Sequence, residues 1–202
     1  MNDIHLELLA SPGWKQYLEE DLLPWVLGAT DLGDEILEVG PGPGLTTDLL
    51  RFGTRRLVAL EIDDTLAAAL SSRLAGTNVE VIHGDATDSG LPADRFSAVT
   101  CFTMLHHVPT PDLQDRLLGE VHRVLCPGGT FIGTDATDTP ALRDLHADDV
   151  FVPIEAESFR ARLERAGFSG VEVEEQDSRL RFLARKPRPG QSSDEASIAP
   201  LR

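Results

Sequence analysis

The sequence predicts an α/β fold in which helices cover both faces of a mostly parallel β-sheet. Short apolar segments rich in valine and isoleucine alternate along the chain with segments of helical period, and this alternation is typical of parallel sheets with crossover helices. Only two residues separate the last two apolar segments, which cover 171–177 and 180–186. Because a parallel crossover needs about a dozen residues or more, that connection permits only a hairpin. We therefore expect the last strand to run antiparallel to the rest.

The strands and main helices follow from the apolar periodicity. The strands are expected at residues 35–40, 56–63, 79–85, 96–102, 130–135, 171–177 and 180–186. The helices are expected at residues 46–52, 65–74, 111–125 and 157–166. Asp64 and Ser158 are the candidate N-caps of the second and fourth helices, and Gly167 is expected to end the fourth.

Other segments surround these elements. Residues 14–23 have helical spacing, which predicts a helix before the first strand. A short helical piece over 141–146 is expected within an irregular stretch between residues 136 and 153. The last residues contain Pro, Gly and Ser and little apolar material, which indicates disorder. The predicted organisation is a helical preface or lid over 1–33, one α/β domain over 34–186 and a disordered tail over 187–202.

Composition narrows the class of protein. The formal net charge is −16, and such an acidic chain repels phosphate backbones unless its basic residues are concentrated, so nucleic acid is a disfavoured partner. The first residues lack a secretion signal, and no apolar stretch approaches the ~20 residues that cross a bilayer. Two isolated cysteines, Cys101 and Cys126, form neither a disulfide framework nor a zinc motif. We expect a cytoplasmic protein, monomeric or homodimeric, without nucleic-acid or membrane partners.

A glycine-rich turn follows the first predicted strand, where residues 38–44 read EVGPGPG. Glycine lets the backbone turn tightly and approach a ligand, and the carboxyl edge of a parallel sheet is where α/β proteins bind ligands. A dinucleotide-binding loop needs Gly-x-Gly-x-x-Gly, which would place glycine where Leu45 stands. A Walker loop is excluded as well, because no Gly-Lys-Ser/Thr follows.

The spacing Glu-x-Gly-x-Gly-x-Gly resembles the first motif of class I S-adenosylmethionine (SAM)-dependent methyltransferases. Further segments in the same order strengthen the resemblance: LVALEID at 57–63, VIHGDA at 81–86, FSAVTCFTMLHH at 96–107 and RVLCPGGT at 123–130. The resemblance spans most of the chain and is to small-molecule members of methyltransferase type 11/25. It implies a Rossmann-like three-layer αβα sandwich, whose seven-stranded sheet has an antiparallel last strand.

The resemblance also implies the cofactor, SAM, with S-adenosylhomocysteine as its product. Glu61 matches the acid that binds the ribose hydroxyls, and two hydrogen bonds from vicinal hydroxyls suit a carboxylate. Ile62 matches the apolar residue that packs on adenine. Asp85 and the backbone at Ala86 match the groups that reach the adenine ring. The residues predicted to bind the cofactor are Tyr17, Glu38, Gly40, Pro41, Gly42, Gly44, Glu61, Ile62, Asp85, Ala86 and Thr103.

For some residues near this site, the sequence is compatible with two roles. Glu38 either holds the glycine-rich loop or accepts a hydrogen bond from the methionine amino group. Trp14 and Tyr17 either close over the cofactor or dock the preface helix on the core.

His106 and His107 follow the fourth strand and are the candidate catalytic residues. Either could remove a proton from an acceptor hydroxyl, and the alternative is a packed imidazole that holds the loop. No metal is expected, because adjacent side chains diverge and no carboxylate triad is evident in the sequence.

The function predicted from these observations is methyl transfer from SAM to a small-molecule acceptor, through an oxygen, nitrogen or carbon atom. Residues 103–106 read TMLH, so the Asn/Asp-Pro-Pro-Tyr/Phe motif of adenine and glutamine methylation is missing. A non-catalytic SAM-binding protein is the first alternative, because its cofactor motifs would be the same. A nicotinamide-dependent oxidoreductase is the second, against which Leu45 and the lack of a Tyr-x-x-x-Lys pair argue.

Overall fold

One seven-stranded sheet organises the computed structural model, which describes residues 7–9 and 11–190. The strands are β1 (Glu35–Val39), β2 (Arg56–Glu61), β3 (Val79–His83), β4 (Phe96–Phe102), β5 (Leu125–Ala136), β6 (Ser169–Gln176) and β7 (Arg179–Arg185). Their order is β3-β2-β1-β4-β5-β7-β6. The pairs among β1 to β5 are parallel, whereas β7 runs antiparallel to both β5 and β6. The predicted sheet with an antiparallel last strand is confirmed.

Besides the helical residues 7–9, seven α-helices accompany the strands in the described residues. They are α1 (Pro12–Tyr17), α2 (Leu23–Leu27), α3 (Leu45–Leu50), α4 (Asp64–Arg73), α5 (Pro111–Val124), α6 (Pro140–Leu145) and α7 (Ala156–Arg165). A single π-helical turn, Leu18–Leu22, joins α1 to α2, and short 3₁₀ turns cover Arg51–Gly53 and Leu105–His107. Within these described ranges, none of the helices has the length and hydropathy that crossing a membrane requires.

The core lies on both faces of the sheet. Neighbouring residues of β1 point to opposite faces, so that Ile36 packs in one apolar cluster and Leu37 in the other. The preface belongs to the first of these clusters, because Leu18, Leu22 and Val26 are buried there against the central strands. Apolar burial on both faces explains why the strands read as continuous apolar runs.

Several predicted boundaries differ from the observed ones. The preface is not one regular helix, because Pro24 has no N–H to donate and the hydrogen-bonding pattern changes before it. Strand β5 begins five residues early, at Leu125, where the chain pairs with Phe96 across an irregular register. The tail prediction falls partly outside the described residues, which end at 190.

The helix caps also differ. Asp63, and not Asp64, caps α4, since its carboxylate accepts hydrogen bonds from the N–H groups of Thr65 and Leu66. Ser158 lies inside α7, whose N-cap position is occupied by Glu155. Gly167 follows α7 with φ +100°, the left-handed conformation expected at a helix end, so this prediction is confirmed.

Candidate active site

A cavity of about 510 Å³ opens at the carboxyl ends of β1, β2 and β4. The strand order reverses between β1 and β4, and this switch point is where open α/β sheets bind ligands. The volume lies within the range of ~300–1,000 Å³ that is usual for small-molecule sites. The cavity therefore has the position and the size of a cofactor site.

The glycine-rich loop forms one wall of this cavity. Gly40 and Gly42 have φ of +66° and +55°, a conformation that L side chains rarely adopt. A Cβ at Gly40 would collide with Met104, whereas a Cβ at Gly42 would meet only open space. Gly44 does not line the cavity, and a Cβ there would collide with Leu70. The first two glycines thus shape the cavity wall, while the third lets α3 pack on α4.

Glu38 lies beneath the loop and is not in the cavity lining. Its carboxylate accepts hydrogen bonds from the hydroxyls of Thr46 and, at 2.6 Å, of Thr47. Burial raises the pKa of Glu38 to about 7, and the two hydroxyl hydrogen bonds oppose that rise. Of the two readings of this residue, the geometry favours the one in which Glu38 holds the start of α3.

Glu61 connects the loop to the end of β2. One carboxylate oxygen accepts from the N–H of Gly42 at 2.9 Å, and the other accepts from the N–H of Asp63 at 3.0 Å. The residue is buried but lines the cavity. Each oxygen keeps a further lone pair for a ligand hydroxyl.

An apolar surface lies beside this carboxylate. Ile62 is 67% exposed and lines the cavity. Asp85 and Ala86 lie across from it after β3, where the Asp85 side chain accepts from the N–H of Thr87 at 2.8 Å. Thr103, at φ +50°, follows β4 and completes this region.

Eight of the residues predicted to bind the cofactor therefore meet at one cavity. They are Gly40, Pro41, Gly42, Glu61, Ile62, Asp85, Ala86 and Thr103. Glu38, Gly44 and Tyr17 are outside its lining. The Tyr17 ring packs between two neighbours, with its centroid 5.1 Å from that of Trp14 and 5.2 Å from the guanidinium carbon of Arg179. Trp14 lines the cavity, whereas Tyr17 does not.

Residues outside the sequence prediction complete the lining. Met104, Val108 and Leu113 come from the segment after β4, and Asp149 and Val150 come from the connector between α6 and α7. The only available signal was the apolar character of Met104 and Val108 in a loop after a strand, and of Leu113 in the first turn of α5. For the connector, the only signal was the family resemblance, in which the stretch after the fifth strand often forms the substrate wall; a solvated loop was the alternative.

The histidines form a cluster beside the cavity. His106 is buried, and its Nδ1 lies 2.6 Å from the carboxylate of Asp135 on β5. Its Nε2 lies 3.1 Å from Nε2 of His146, whose Nδ1 lies 2.6 Å from the carbonyl oxygen of Leu142. Burial is the largest cause that lowers the pKa of His146. His107 alone of the three lines the cavity.

This cluster corrects two expectations. The rings of His106 and His107 do not diverge, because the 3₁₀ turn brings their centroids to 4.2 Å. A carboxylate does accompany them, although Asp135 is 29 residues away in sequence.

Comparison with known proteins gives consistent results. Residues 37–133 match a family model described as "Methyltransferase domain". A probable S-adenosylmethionine-dependent methyltransferase of Mycolicibacterium smegmatis is 28% identical over 159 residues, which cover 73% of this chain and 60% of that protein. A demethylmenaquinone methyltransferase of Clavibacter sepedonicus is 33% identical over 109 residues, covering 54% of this chain and 43% of that protein.

Another similar protein is named as a methyltransferase of ribosomal RNA and not of a small molecule. Ribosomal RNA small subunit methyltransferase A of Deinococcus radiodurans is 42% identical over 69 residues, 33% of this chain and 24% of that protein. The matched segments thus span from about a quarter to three fifths of these curated relatives.

Among solved structures, the DhpI–SAM–HEP complex superposes with a TM-score of 0.70 at 23% identity, covering 90% of this chain and 91% of that one. This likeness shows a shared fold and confirms the predicted Rossmann-like sandwich.

Proposed function

Because the chain carries a class I SAM-dependent methyltransferase domain, we propose that it transfers a methyl group from SAM to a small-molecule acceptor. The observation that carries the proposal is the meeting of a glycine-rich loop, a buried carboxylate and an exposed apolar side chain at one cavity. These groups are those of Gly42, Glu61 and Ile62. They match a nucleoside with vicinal hydroxyls and an aromatic base whose flat face packs on an apolar side chain.

The residues at the cavity fit SAM. The free lone pairs of Glu61 would accept from the ribose hydroxyls, and Ile62 would pack on adenine. Asp85 would accept from the adenine amino group. The open space over Gly42 leaves room for the methionine part.

When bound, SAM supplies a methyl carbon that its sulfonium already activates. The chain itself therefore needs only to align the acceptor and exclude water. Trp14, Met104 and Val150 line the cavity and would exclude water. His107, the histidine in the lining, would take the proton of a hydroxyl acceptor. Its neighbour His106 stands behind it and is held by Asp135.

Two observations support a small acceptor. The net charge of −16 disfavours a polyanionic acceptor. In addition, the connector residues Asp149 and Val150 lie at the cavity, so they narrow the space for the acceptor.

Calorimetric titration tests the cofactor site. We expect heat on addition of S-adenosylhomocysteine and none with NADH. Ile62→Ser should weaken S-adenosylhomocysteine binding about 5–30-fold, because it removes roughly 1–2 kcal/mol of apolar burial. Phe52→Ser is the matched control: Phe52 is also exposed, at 76%, but lies outside the cavity lining. Equal affinities of the Ile62 variant and the wild type would contradict the proposed adenine contact.

Glu61→Ala is the second variant for the same titration. It should weaken binding by about 2–4 kcal/mol, because it removes charge-assisted hydrogen bonds. Since Glu61 also holds Gly42 and Asp63, circular dichroism should confirm that the variant is folded. Binding of NADH in place of S-adenosylhomocysteine would refute the proposed function.

The class of acceptor needs a separate experiment. The protein would be incubated with methyl-labelled SAM and either a metabolite extract or total RNA. We expect label in small molecules. Label in RNA alone would refute the small-molecule acceptor, and no label in either sample would favour a non-catalytic protein.

A further inference from the structure

Three histidines from two separate segments meet beside the cavity. His106 and His107 lie in the 3₁₀ turn after β4, and His146 lies at the end of α6, 40 residues beyond His106. One ring nitrogen of each lies within 4.8 Å of the others. His106 and His146 are buried, and His107 is partly exposed. Packing of Phe151 against the rings of His106 and His146 further shields the cluster.

The two buried rings, of His106 and His146, are held in the same way, with Nδ1 near an oxygen acceptor and Nε2 facing the other ring. Each directs Nδ1 to an oxygen acceptor at 2.6 Å, Asp135 for His106 and the Leu142 carbonyl for His146. Hydrogen bonds of this kind fix the tautomer of histidines that bind a metal through Nε2. The two Nε2 atoms face each other at 3.1 Å. This separation is close to the ~3.3 Å expected for two nitrogens at ~2.0–2.1 Å from a tetrahedral zinc ion.

The hydrogen-bond partners of His106 and His146 determine which of their ring nitrogens carry hydrogen. The Leu142 carbonyl can only accept, and so can the Asp135 carboxylate in its ionised form, so both Nδ1 atoms carry hydrogen. Two neutral rings would then place two lone pairs opposite each other at 3.1 Å. With Asp135 ionised, either a third proton or a metal ion between the two Nε2 atoms would remove this repulsion. An ionised Asp135, which is fully buried, would compensate this positive charge.

We propose that His106, His107 and His146 bind a divalent transition-metal ion of the zinc class, with Asp135 orienting His106. Imidazole nitrogens suit zinc, cobalt and iron rather than magnesium or calcium. The nitrogens of the three rings spread over 4.8 Å, more than the ~4.2 Å that two ligands at ~2.1 Å from one ion can span. The rings would therefore have to move closer together on binding, and three protein ligands would then leave one coordination position open, as in catalytic zinc sites. His107 lies in the cavity lining, so the site borders the cavity. This proposal replaces the expectation from sequence that no metal is bound.

The role of the ion rests on the proposed function. A zinc-class ion lowers the pKa of a bound hydroxyl, so an acceptor alcohol or phenol held there would lose its proton to solvent water. Its oxygen would then take the methyl group as S-adenosylhomocysteine leaves, and His107 would act as a ligand in place of the base role proposed for it in the metal-free protein. The site would then select acceptors whose reacting atom is a hydroxyl oxygen.

Cobalt serves as the spectroscopic probe. The full-length protein would be freed of metal with a chelator and titrated with Co²⁺. We expect one equivalent to produce the intense visible absorption of a tetrahedral site, and Zn²⁺ to displace it. His146→Gln should weaken Co²⁺ binding at least ~100-fold, and Asp135→Asn about 10–100-fold, as for other carboxylates that orient a metal-binding histidine. His107→Gln, the change at the most exposed ligand, provides a third variant in case a buried substitution prevents folding.

His122→Gln is the matched control. His122 packs against Phe168, away from the cluster, and its replacement should leave Co²⁺ binding unchanged. The proposal is overturned if the wild type binds neither Co²⁺ nor Zn²⁺ at stoichiometric concentrations. It is also overturned if the control loses affinity as much as His146→Gln does. An imidazolium signal in ¹⁵N NMR that persists with excess Zn²⁺ would overturn it as well, because the third proton would then occupy the contact.

A parallel calorimetric titration with S-adenosylhomocysteine separates the two proposals. Metal binding without S-adenosylhomocysteine binding would refute the proposed function and leave the metal site intact. S-adenosylhomocysteine binding without metal binding would refute only the metal site.

Discussion

Two buried glutamates near the cavity differ in their hydrogen-bond partners. Glu61 accepts from backbone N–H groups and faces the cavity. Glu38 accepts from two neutral hydroxyls beneath the loop. Burial therefore dominates at Glu38 and raises its pKa to about 7. A carboxyl group with a raised pKa links the stability of the loop to pH.

The pH dependence that follows can be measured. The pKa of Glu38 is 4.5 when unperturbed and about 7 in the fold, so between these values the folded state binds the extra proton. The contribution of Glu38 to stability is thus fully present below pH ~4.5 and is lost as the pH rises through ~7, by about 3 kcal/mol at most. Glu38→Gln should remove this loss.

Urea unfolding from pH 5 to pH 8 is the measurement. The free energy of unfolding of the variant should fall less over this range than that of the wild type. Thr47→Ser, which keeps the hydroxyl, is the control and should retain the wild-type slope. Parallel slopes for Glu38→Gln and wild type would mean that Glu38 is ionised in the fold throughout.

At the scale of elements, helix starts depend on where the preceding strand ends. Residues 63–65 read DDT, and each of these residue types can cap a helix. The structure selects Asp63, because β2 ends at Glu61 and the Glu61 carboxylate holds the N–H of Asp63. The Asp63 side chain is thereby directed to the first N–H groups of α4.

Asp63→Ala should lower the free energy of unfolding by about 1 kcal/mol, because two N–H groups of α4 lose their acceptor. Asp64→Ala is the matched control and should change it by less than about 0.5 kcal/mol, as expected for an exposed first-turn acid. Denaturant titration of both variants at one pH checks the pair. If Asp64→Ala lowered the free energy of unfolding more than Asp63→Ala does, Asp64 would be the N-cap, as predicted from the sequence.

At the scale of the whole molecule, β5 joins the parallel half of the sheet to the antiparallel hairpin. Its Gly133 pairs with Cys101 of β4 on one side and with Phe182 of β7 on the other. A Cβ at Gly133 would collide with the Cys101 carbonyl oxygen and lie 2.7 Å from the Phe182 ring. The close approach of three strands therefore depends on a residue without a side chain.

Gly133→Ala should destabilise the protein by about 3 kcal/mol, the upper end for an overpacked core. Gly119→Ala should have the opposite effect. Gly119 is an exposed position of α5 with open space where a Cβ would lie, so alanine should stabilise the helix by about 0.5–1 kcal/mol. Thermal unfolding of the two variants measures both effects. An unchanged melting temperature for Gly133→Ala would show that the strands can separate without cost.

The sequence by itself determined the sheet with its antiparallel last strand and eight of the residues that line the cavity. These features are encoded locally: apolar periodicity identifies strands, a two-residue gap requires a hairpin, and each motif follows the strand that positions it. Parallel strands then bring the ends carrying Gly42, Glu61 and Asp85 to one edge. Only the tertiary structure decided which of the predicted residues line the cavity and which lie outside its lining. Tyr17 and Glu38 carry suitable chemistry but are outside the lining.

The histidine cluster was decided by tertiary structure alone. Asp135 meets His106 because the register of β4 and β5 pairs Phe102 with Thr134. His146 arrives from the connector, which folds back so that the Val152 N–H donates to the His106 carbonyl at 2.7 Å. Separations of 29 and 40 residues leave no local periodicity to read, because strand register and loop path depend on packing across the whole chain.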